Sequence, residues 1–156
     1  MDSNHRYNLQ LKWTGNRGTG TSHYHAYDRN HVVSFSGKPD LQASADPTFR
    51  GDPLKYNPEE LLLAALSGCH MMSFLHVCVN AGVVVTAYED RAEGTMQLHA
   101  DGSGRFTEVI LNPVVTVSEE SMLKNLDALH HKANQLCFIA NSCNFPIRHL
   151  ATAKTA

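Results

Sequence analysis

Four side chains in this sequence are suited to nucleophilic or redox chemistry: Cys69, Cys78, Cys137 and Cys143. The gaps between them are 9, 59 and 6 residues, so no pair has the Cys-x-x-Cys spacing of a zinc ribbon or a thioredoxin-type redox motif. The chain is also too poor in cysteine for a disulfide scaffold. Cys69 stands in a long apolar segment and has one acidic residue in helical phase with it. Glu59 lies ten residues earlier, near three helical turns, and so projects from about the same side. A carboxylate alone disfavours a thiolate, whereas an arginine that bridges carboxylate and sulfur favours it. No Lys or Arg lies between Glu59 and Tyr88, so the cation must come from elsewhere in the chain or from a second copy. Arg50, in a loop before the helix, is the first candidate, and Arg17, in a glycine-rich turn, is the second. Cys78 reads as a small core residue.

The ten histidines raise the question of a metal. His130 and His131 are adjacent on a helix and point about 100° apart. His70 and His76 are six apart, which misses the i, i+4 spacing of one helix face. His23 and His25 share a strand face, as many exposed pairs do. There is no His-Glu-x-x-His motif, so the expectation is no metal and no cofactor.

The elements that position these residues follow from pattern. Residues 7–13 alternate, with Tyr7, Leu9, Leu11 and Trp13 on one face, and read as a strand. Strand patterning returns at residues 22–28 and 31–36, which predicts an antiparallel meander. Residues 37–57 carry three prolines and two glycines and predict an irregular connection. Asn57-Pro58-Glu59-Glu60 is a helix start, with Asn57 as the cap, Pro58 at the first helical position and Glu60 completing a capping box. The helix is predicted over residues 58–80, with Gly82 as its stop. Strands are predicted near residues 83–88, 92–100 and 106–117. A second helix is predicted from a Ser118 cap to near Cys137, followed by an edge strand within residues 144–150, where Pro146 argues against a central position.

Length and composition bound the rest. A chain of 156 residues is expected to form one domain, 1–156. It is 42% hydrophobic and 18% charged, which excludes a disordered tail or a coiled coil. Thirteen basic and fifteen acidic side chains give a net charge of −2, so there is no global field for nucleic acid or an anionic membrane. The N-terminus lacks the apolar stretch of a signal peptide, and a reducing cytoplasmic compartment is expected. No charged residue occurs from Leu61 to Ala87. That is long enough to cross a bilayer, but Asn80, His70, His76, Ser67, Gly68 and Gly82 interrupt it and no basic cluster flanks it. A buried central helix is the expected reading, with no membrane span. A helix apolar all round is more than one small sheet can cover, which predicts a homodimer with the two central helices near the two-fold axis.

The segment Asn57-Pro58-Glu59-Glu60-Leu61-Leu62-Leu63-Ala64-Ala65-Leu66-Ser67-Gly68-Cys69 resembles the signature of the OsmC/Ohr family. In that family an Asn-Pro-Glu helix start precedes a Cys ten residues after the Glu. A second Cys follows a later helix, where Cys137-Phe138-Ile139-Ala140-Asn141-Ser142 stands here. The order of elements agrees over nearly the whole chain. The resemblance implies an α+β OsmC-like fold, with antiparallel sheets around a long central helix in an intertwined dimer whose active sites use both subunits. It implies a thiol peroxidase that reduces organic hydroperoxides to alcohols, with Cys69 peroxidatic, Cys137 resolving and Glu59 as the family glutamate. It leaves the arginine open between Arg50 and Arg17, and it suggests a dithiol reductant of lipoyl type. Phe138 replaces the usual Pro after the second Cys, and Cys143 is an extra thiol that competes as resolver. Met71, Met72, Phe74, Phe138 and Phe145 are the candidates to line an apolar substrate site. The alternative is a non-catalytic OsmC-like protein that holds a small molecule in its apolar cleft.

Overall fold

Helix α1 (Pro58–Asn80) begins and ends where local chemistry dictates. Asn57 Oδ1 accepts the Glu60 N–H at 2.8 Å, and Glu60 Oε2 accepts the Asn57 N–H at 3.1 Å, a reciprocal capping box. At the other end Gly82 adopts φ 70°. The Val83 N–H then reaches the Cys78 carbonyl at 2.9 Å and the Gly82 N–H the Val79 carbonyl at 3.1 Å, which satisfies the last carbonyls in a Schellman arrangement.

The computed structural model describes residues 4–156, in two compact units that divide after Leu61. The first unit holds β1 (Gln10–Trp13), β2 (His31–Ser34) and β3 (Leu41–Ala43), an antiparallel sheet in that order. Two expectations need correction here. Residues 22–28 are not a strand but a folded loop, joined to the chain after β1 by a bridge between Asn16 and Tyr27 and to β1 itself by Trp13, whose Nε1 donates to the Asp28 carbonyl at 2.8 Å. The alternation there reflects a stack: the Arg29 guanidinium lies 4.3 Å from the Tyr24 ring centroid and 4.2 Å from that of Tyr27. Residues 37–57 are not wholly irregular, because they contain β3 and a short 3-10 turn, Pro47–Phe49, capped by Asp46 through the Thr48 N–H at 2.7 Å.

The second unit contains the rest of α1 and two three-stranded sheets. Its strands are β4 (Val85–Asp90), β5 (Glu93–Leu98), β6 (Gly104–Leu111), β7 (Pro113–Val117), β8 (Ile147–His149) and β9 (Thr152–Thr155). One sheet is ordered β4-β7-β9 and the other β5-β6-β8. The antiparallel pairs β4·β7 and β5·β6 carry added parallel edges, β9 on β7 and β8 on β6. The single strand expected over residues 106–117 is two strands in different sheets. The break falls at Asn112, whose N–H donates to Asp90 Oδ1 at 2.7 Å and whose Nδ2 donates to the Arg91 carbonyl at 2.8 Å. Pro113 then brings no N–H to the ladder. Burial nevertheless alternates without interruption through Val109, Leu111, Pro113, Val115 and Val117, so the residue pattern hides the switch.

Helix α2 (Leu126–Leu136) starts later than expected. A 3-10 stretch, Glu120–Asn125, precedes it, and the Ser118 hydroxyl lies 3.5 Å from Met122 Sδ instead of capping a helix. Both sheets rest on α1. Leu66 packs with Val109 and Leu111 of β6, and Phe74, Val77 and Cys78 pack with Val115 and Val117 of β7 and with Leu126 and Ala133 of α2. Helix α1 is long and apolar enough to cross a membrane, and it is built here into a core with a third of its most apolar window buried.

Three histidines occupy this core. His70 and His130 are buried, and one ring N–H donates across the 3.0 Å between His70 Nε2 and His130 Nδ1. His70 stacks on His149 at 4.3 Å between centroids, and His130 on Phe74 at 3.9 Å. Burial, reinforced by His149 and His130, pulls His70 down to about 3. Burial and His149 pull His130 down to about 4 against the opposing charge of Asp127, with His131 adding to the drop. His149 is lowered by burial and His131, against Asp90. All three are neutral in the fold, while in the unfolded chain they take protons below an ordinary value of 6.5. Stability is therefore complete above about pH 6.5 and falls as pH drops toward 4, by up to about 1.4 kcal/mol per pH unit for each histidine. The urea midpoint is expected to fall between pH 7.5 and pH 5, and to fall less in His130→Gln; equal pH dependence in both proteins contradicts this account.

Candidate functional site

Cys69 lies about three turns into α1 and is half-buried, and Cys137 follows the last residue of α2 and is buried. The two thiols are close enough for Cys69 to perturb Cys137, and neither is in a disulfide. Burial first, and then the Cys69 contact, push the Cys137 thiol up to about 11, although the Ala140 and Ile139 N–H groups oppose the shift. The Ala140 N–H is 3.4 Å from Cys137 Sγ. Cys137 is thus held protonated, and Cys69 is the thiol with access to solvent. Cys78, pushed up to about 11 by burial alone, belongs to the core. Cys143, raised by burial, packs against the cluster of Leu66, Val109 and Leu111.

Cys69 opens into a cleft of about 420 Å³ lined by Met72, Ser73, His76, Leu136 and Phe138. Met72, Ser73 and His76 follow Cys69 at i+3, i+4 and i+7, so one face of α1 forms one wall. Leu136 and Phe138 flank Cys137 and form the other, with Phe138 79% exposed. Among the described residues no Asp, Glu, Lys or Arg lines this cleft. Of the five apolar residues expected at the site, Met72 and Phe138 are there. Phe74 is in the core and Phe145 stacks on Phe106 at 5.5 Å, so these two are corrections, and Met71 does not line the cleft. A larger cavity of about 650 Å³, bounded by Asp127, His130, Asn134, Arg148 and His149, contains no thiol. Among the described residues no group of three or more His, Cys, Asp or Glu has the arrangement of a metal site.

Two features of this region carry no signal in the residue pattern. The Ser67 hydroxyl donates to Asp90 Oδ2, while Asp90 Oδ1 holds the Asn112 N–H. This clamp ties α1 to β4 and to the β6–β7 break two residues before Cys69, and Asp90 is 23 positions from Ser67. Ser73 and His76 are ordinary helix residues until Leu136 and Phe138 close the cleft over them.

The remaining candidates lie in the first unit. Glu59 is in the first turn of α1, half-buried. Arg50 ends the 3-10 turn in a left-handed conformation, φ 67°, with an exposed guanidinium that has no partner among the described residues. Arg17 is tied back to its own loop. Its Nε donates to the Ala26 carbonyl at 3.3 Å and lies 3.8 Å from Asp28 Oδ1, and another guanidinium N–H donates to the His25 carbonyl. Asn16 Oδ1 also accepts the Gly18 and Gly20 N–H groups, at 2.8 and 3.0 Å.

No curated protein sequence matches this chain. Among solved structures it resembles an OsmC-like protein of unknown function from Vibrio cholerae, with TM-score 0.83 and 31% identity over 95% of this chain and 99% of that one. It shares its fold with an organic hydroperoxide resistance protein from Elizabethkingia anophelis, with TM-score 0.70, 18% identity and all of both chains covered. A Legionella pneumophila organic hydroperoxide resistance protein is similar in fold, with TM-score 0.69 and 18% identity over 97% of this chain and 99% of that one. The family model described as OsmC-like protein matches residues 51–149, from the loop before α1 to the end of β8. With that match over more than half of its length, and the α+β architecture of its structural relatives, the chain belongs to the OsmC family.

Proposed function

We propose that this protein is a thiol peroxidase that reduces organic hydroperoxides to alcohols. The observation that carries the reading is one accessible thiol, Cys69, beside a second, protonated thiol at the foot of an apolar cleft. The Cys69 thiolate attacks the terminal oxygen of the hydroperoxide. A sulfur–oxygen bond forms, the oxygen–oxygen bond breaks, and the alcohol leaves after taking a proton. Cys137 then condenses with the Cys69 sulfenic acid to give a disulfide and water, which protects Cys69 from further oxidation. A dithiol reductant, of which a lipoyl-type carrier is one chemical form, returns both thiols by exchange. An apolar cleft without ionised side chains selects an alkyl hydroperoxide over hydrogen peroxide.

Glu59 and one arginine complete the proposed site. The free guanidinium of Arg50 supports its candidacy, and the fixed orientation of Arg17 supports the other. The working form is proposed to be a homodimer. Helix α1 is apolar on every side, and Met72, Val79 and Val84 are 62, 75 and 53% exposed in the single chain. The place of work is proposed to be the cytoplasm, where thiols stay reduced between turnovers.

One equivalent of cumene hydroperoxide is expected to remove two of the four thiols, and Cys69→Ser to abolish the loss. Cys137→Ser should complete one turnover and then accumulate sulfinic Cys69 by mass spectrometry. If Cys137→Ser cycles normally and Cys143→Ser does not, Cys143 is the resolver. Removing the activating arginine is expected to move the pH profile of Cys69 alkylation to higher pH. A shift in Arg50→Ala but not Arg17→Ala assigns Arg50, the reverse assigns Arg17, and no shift in either excludes both. Light scattering at micromolar concentration should return twice the 17.2 kDa chain mass, and a monomer refutes the dimer.

A further inference from the structure

The leaving oxygen of the hydroperoxide develops negative charge as the oxygen–oxygen bond breaks, and in an apolar cleft that charge needs a hydrogen-bond donor. The side chains that line the Cys69 cleft offer two besides the thiol, Ser73 and His76. His76 is seven residues from Cys69, about 10 Å along the helix axis, and its Nε2 is engaged with Asn80 Nδ2 at 3.2 Å. Ser73 is one turn from Cys69, at the i+4 spacing that puts the two Cβ atoms about 6 Å apart. Helical side chains lean toward the N-terminus, so the Ser73 hydroxyl leans over the sulfur. That hydroxyl has no hydrogen-bond partner among the described residues, and Ser73 is half-buried. A donor on the same cleft wall, one turn from the sulfur, is within reach of the second peroxide oxygen, bonded to the one under attack.

We propose that Ser73 is a catalytic residue of this site, donating its O–H to the leaving oxygen of an alkyl hydroperoxide; this rests on the peroxidase reading above. The step balances as Cys69–S⁻ plus RO–OH giving Cys69–S–OH plus RO⁻. Sulfur is oxidised, the peroxide is reduced, and Ser73 holds RO⁻ by hydrogen bond until water supplies the proton that makes the alcohol. An arginine that stabilises the Cys69 thiolate raises the reactive fraction of the thiol for every peroxide alike. Ser73 distinguishes substrates by their leaving group. An alkoxide is a strong base and needs the donor. The carboxylate that leaves from a peracid is already a stable anion and does not.

The test is single-turnover oxidation of Cys69 in wild type, Ser73→Ala and Ser73→Thr, each with cumene hydroperoxide and with peracetic acid. Ser73→Ala is expected to slow the alkyl hydroperoxide about tenfold, the worth of one hydrogen bond at the favourable end of the usual range. Its rate with peracetic acid should stay within about twofold of wild type, which also reports that Cys69 and the fold are intact. Ser73→Thr, which keeps a hydroxyl, should restore most of the alkyl hydroperoxide rate. Equal slowing of both oxidants, or no slowing of either, overturns the proposal while a fast wild-type reaction leaves the peroxidase reading standing. A wild-type protein that reacts with cumene hydroperoxide no faster than free cysteine overturns both.

Discussion

The register of α1 against the two sheets is the constraint on which the rest of this structure depends. A helix without one charged side chain over most of its length has no polar face to orient it. Its rotation and translation are set by discrete contacts. The capping box and the Schellman turn fix its ends, and the Ser67–Asp90–Asn112 clamp fixes its middle. The His70–His130 hydrogen bond then ties it to α2 one residue after Cys69. Slippage by one residue would turn each side chain about 100° around the axis and take Cys69 away from Cys137.

The polar groups inside this core are a source of specificity with an energetic cost. Neutral histidines buried against Phe74 forgo hydration, and several ring nitrogens have no partner among the described residues: His70 Nδ1, His130 Nε2 and His149 Nε2. An apolar core of the same shape would avoid that cost, but it would define the rotation of α1 less sharply. The same cluster separates two environments on neighbouring residues. His70 faces the interior, and Cys69, next to it in the chain, faces the cleft. Helical geometry makes that division, because consecutive residues diverge by about 100°.

The thiols differ for the same reason. Cys78 and Cys137 are both buried and both raised to about 11, but Cys78 packs among apolar side chains while Cys137 meets Cys69. Burial alone therefore gives an inert thiol, and burial beside an accessible thiol gives one that stays protonated until its neighbour is oxidised. The apolar cleft walls come from residues beside the two cysteines, so the elements that bring the sulfurs together also build the space in front of them.

Local chemistry was legible in the residues and long-range pairing was not. The bounds of α1 follow from Asn57, Pro58, Glu60 and Gly82, since caps and stops act over three or four residues. The Asn-Pro-Glu start with its Cys ten residues on was enough to suggest the family. The sheet switch at Asn112 escaped because burial keeps its period of two across the break, so the pattern is that of one strand. The edge strand β9 escaped because Thr152–Thr155 is exposed throughout and has no apolar face to announce it. The late start of α2 escaped because Ser118 has the composition of a cap yet turns to Met122. Ser67, Ser73 and Asp90 gained their roles only from partners across the fold. The sequence by itself determined where the helix of Cys69 starts and stops, because those signals are local. Which thiol meets Cys69, which residues wall its cleft and which rings fill the core were decided by the tertiary structure, because they depend on contacts between residues far apart in the chain.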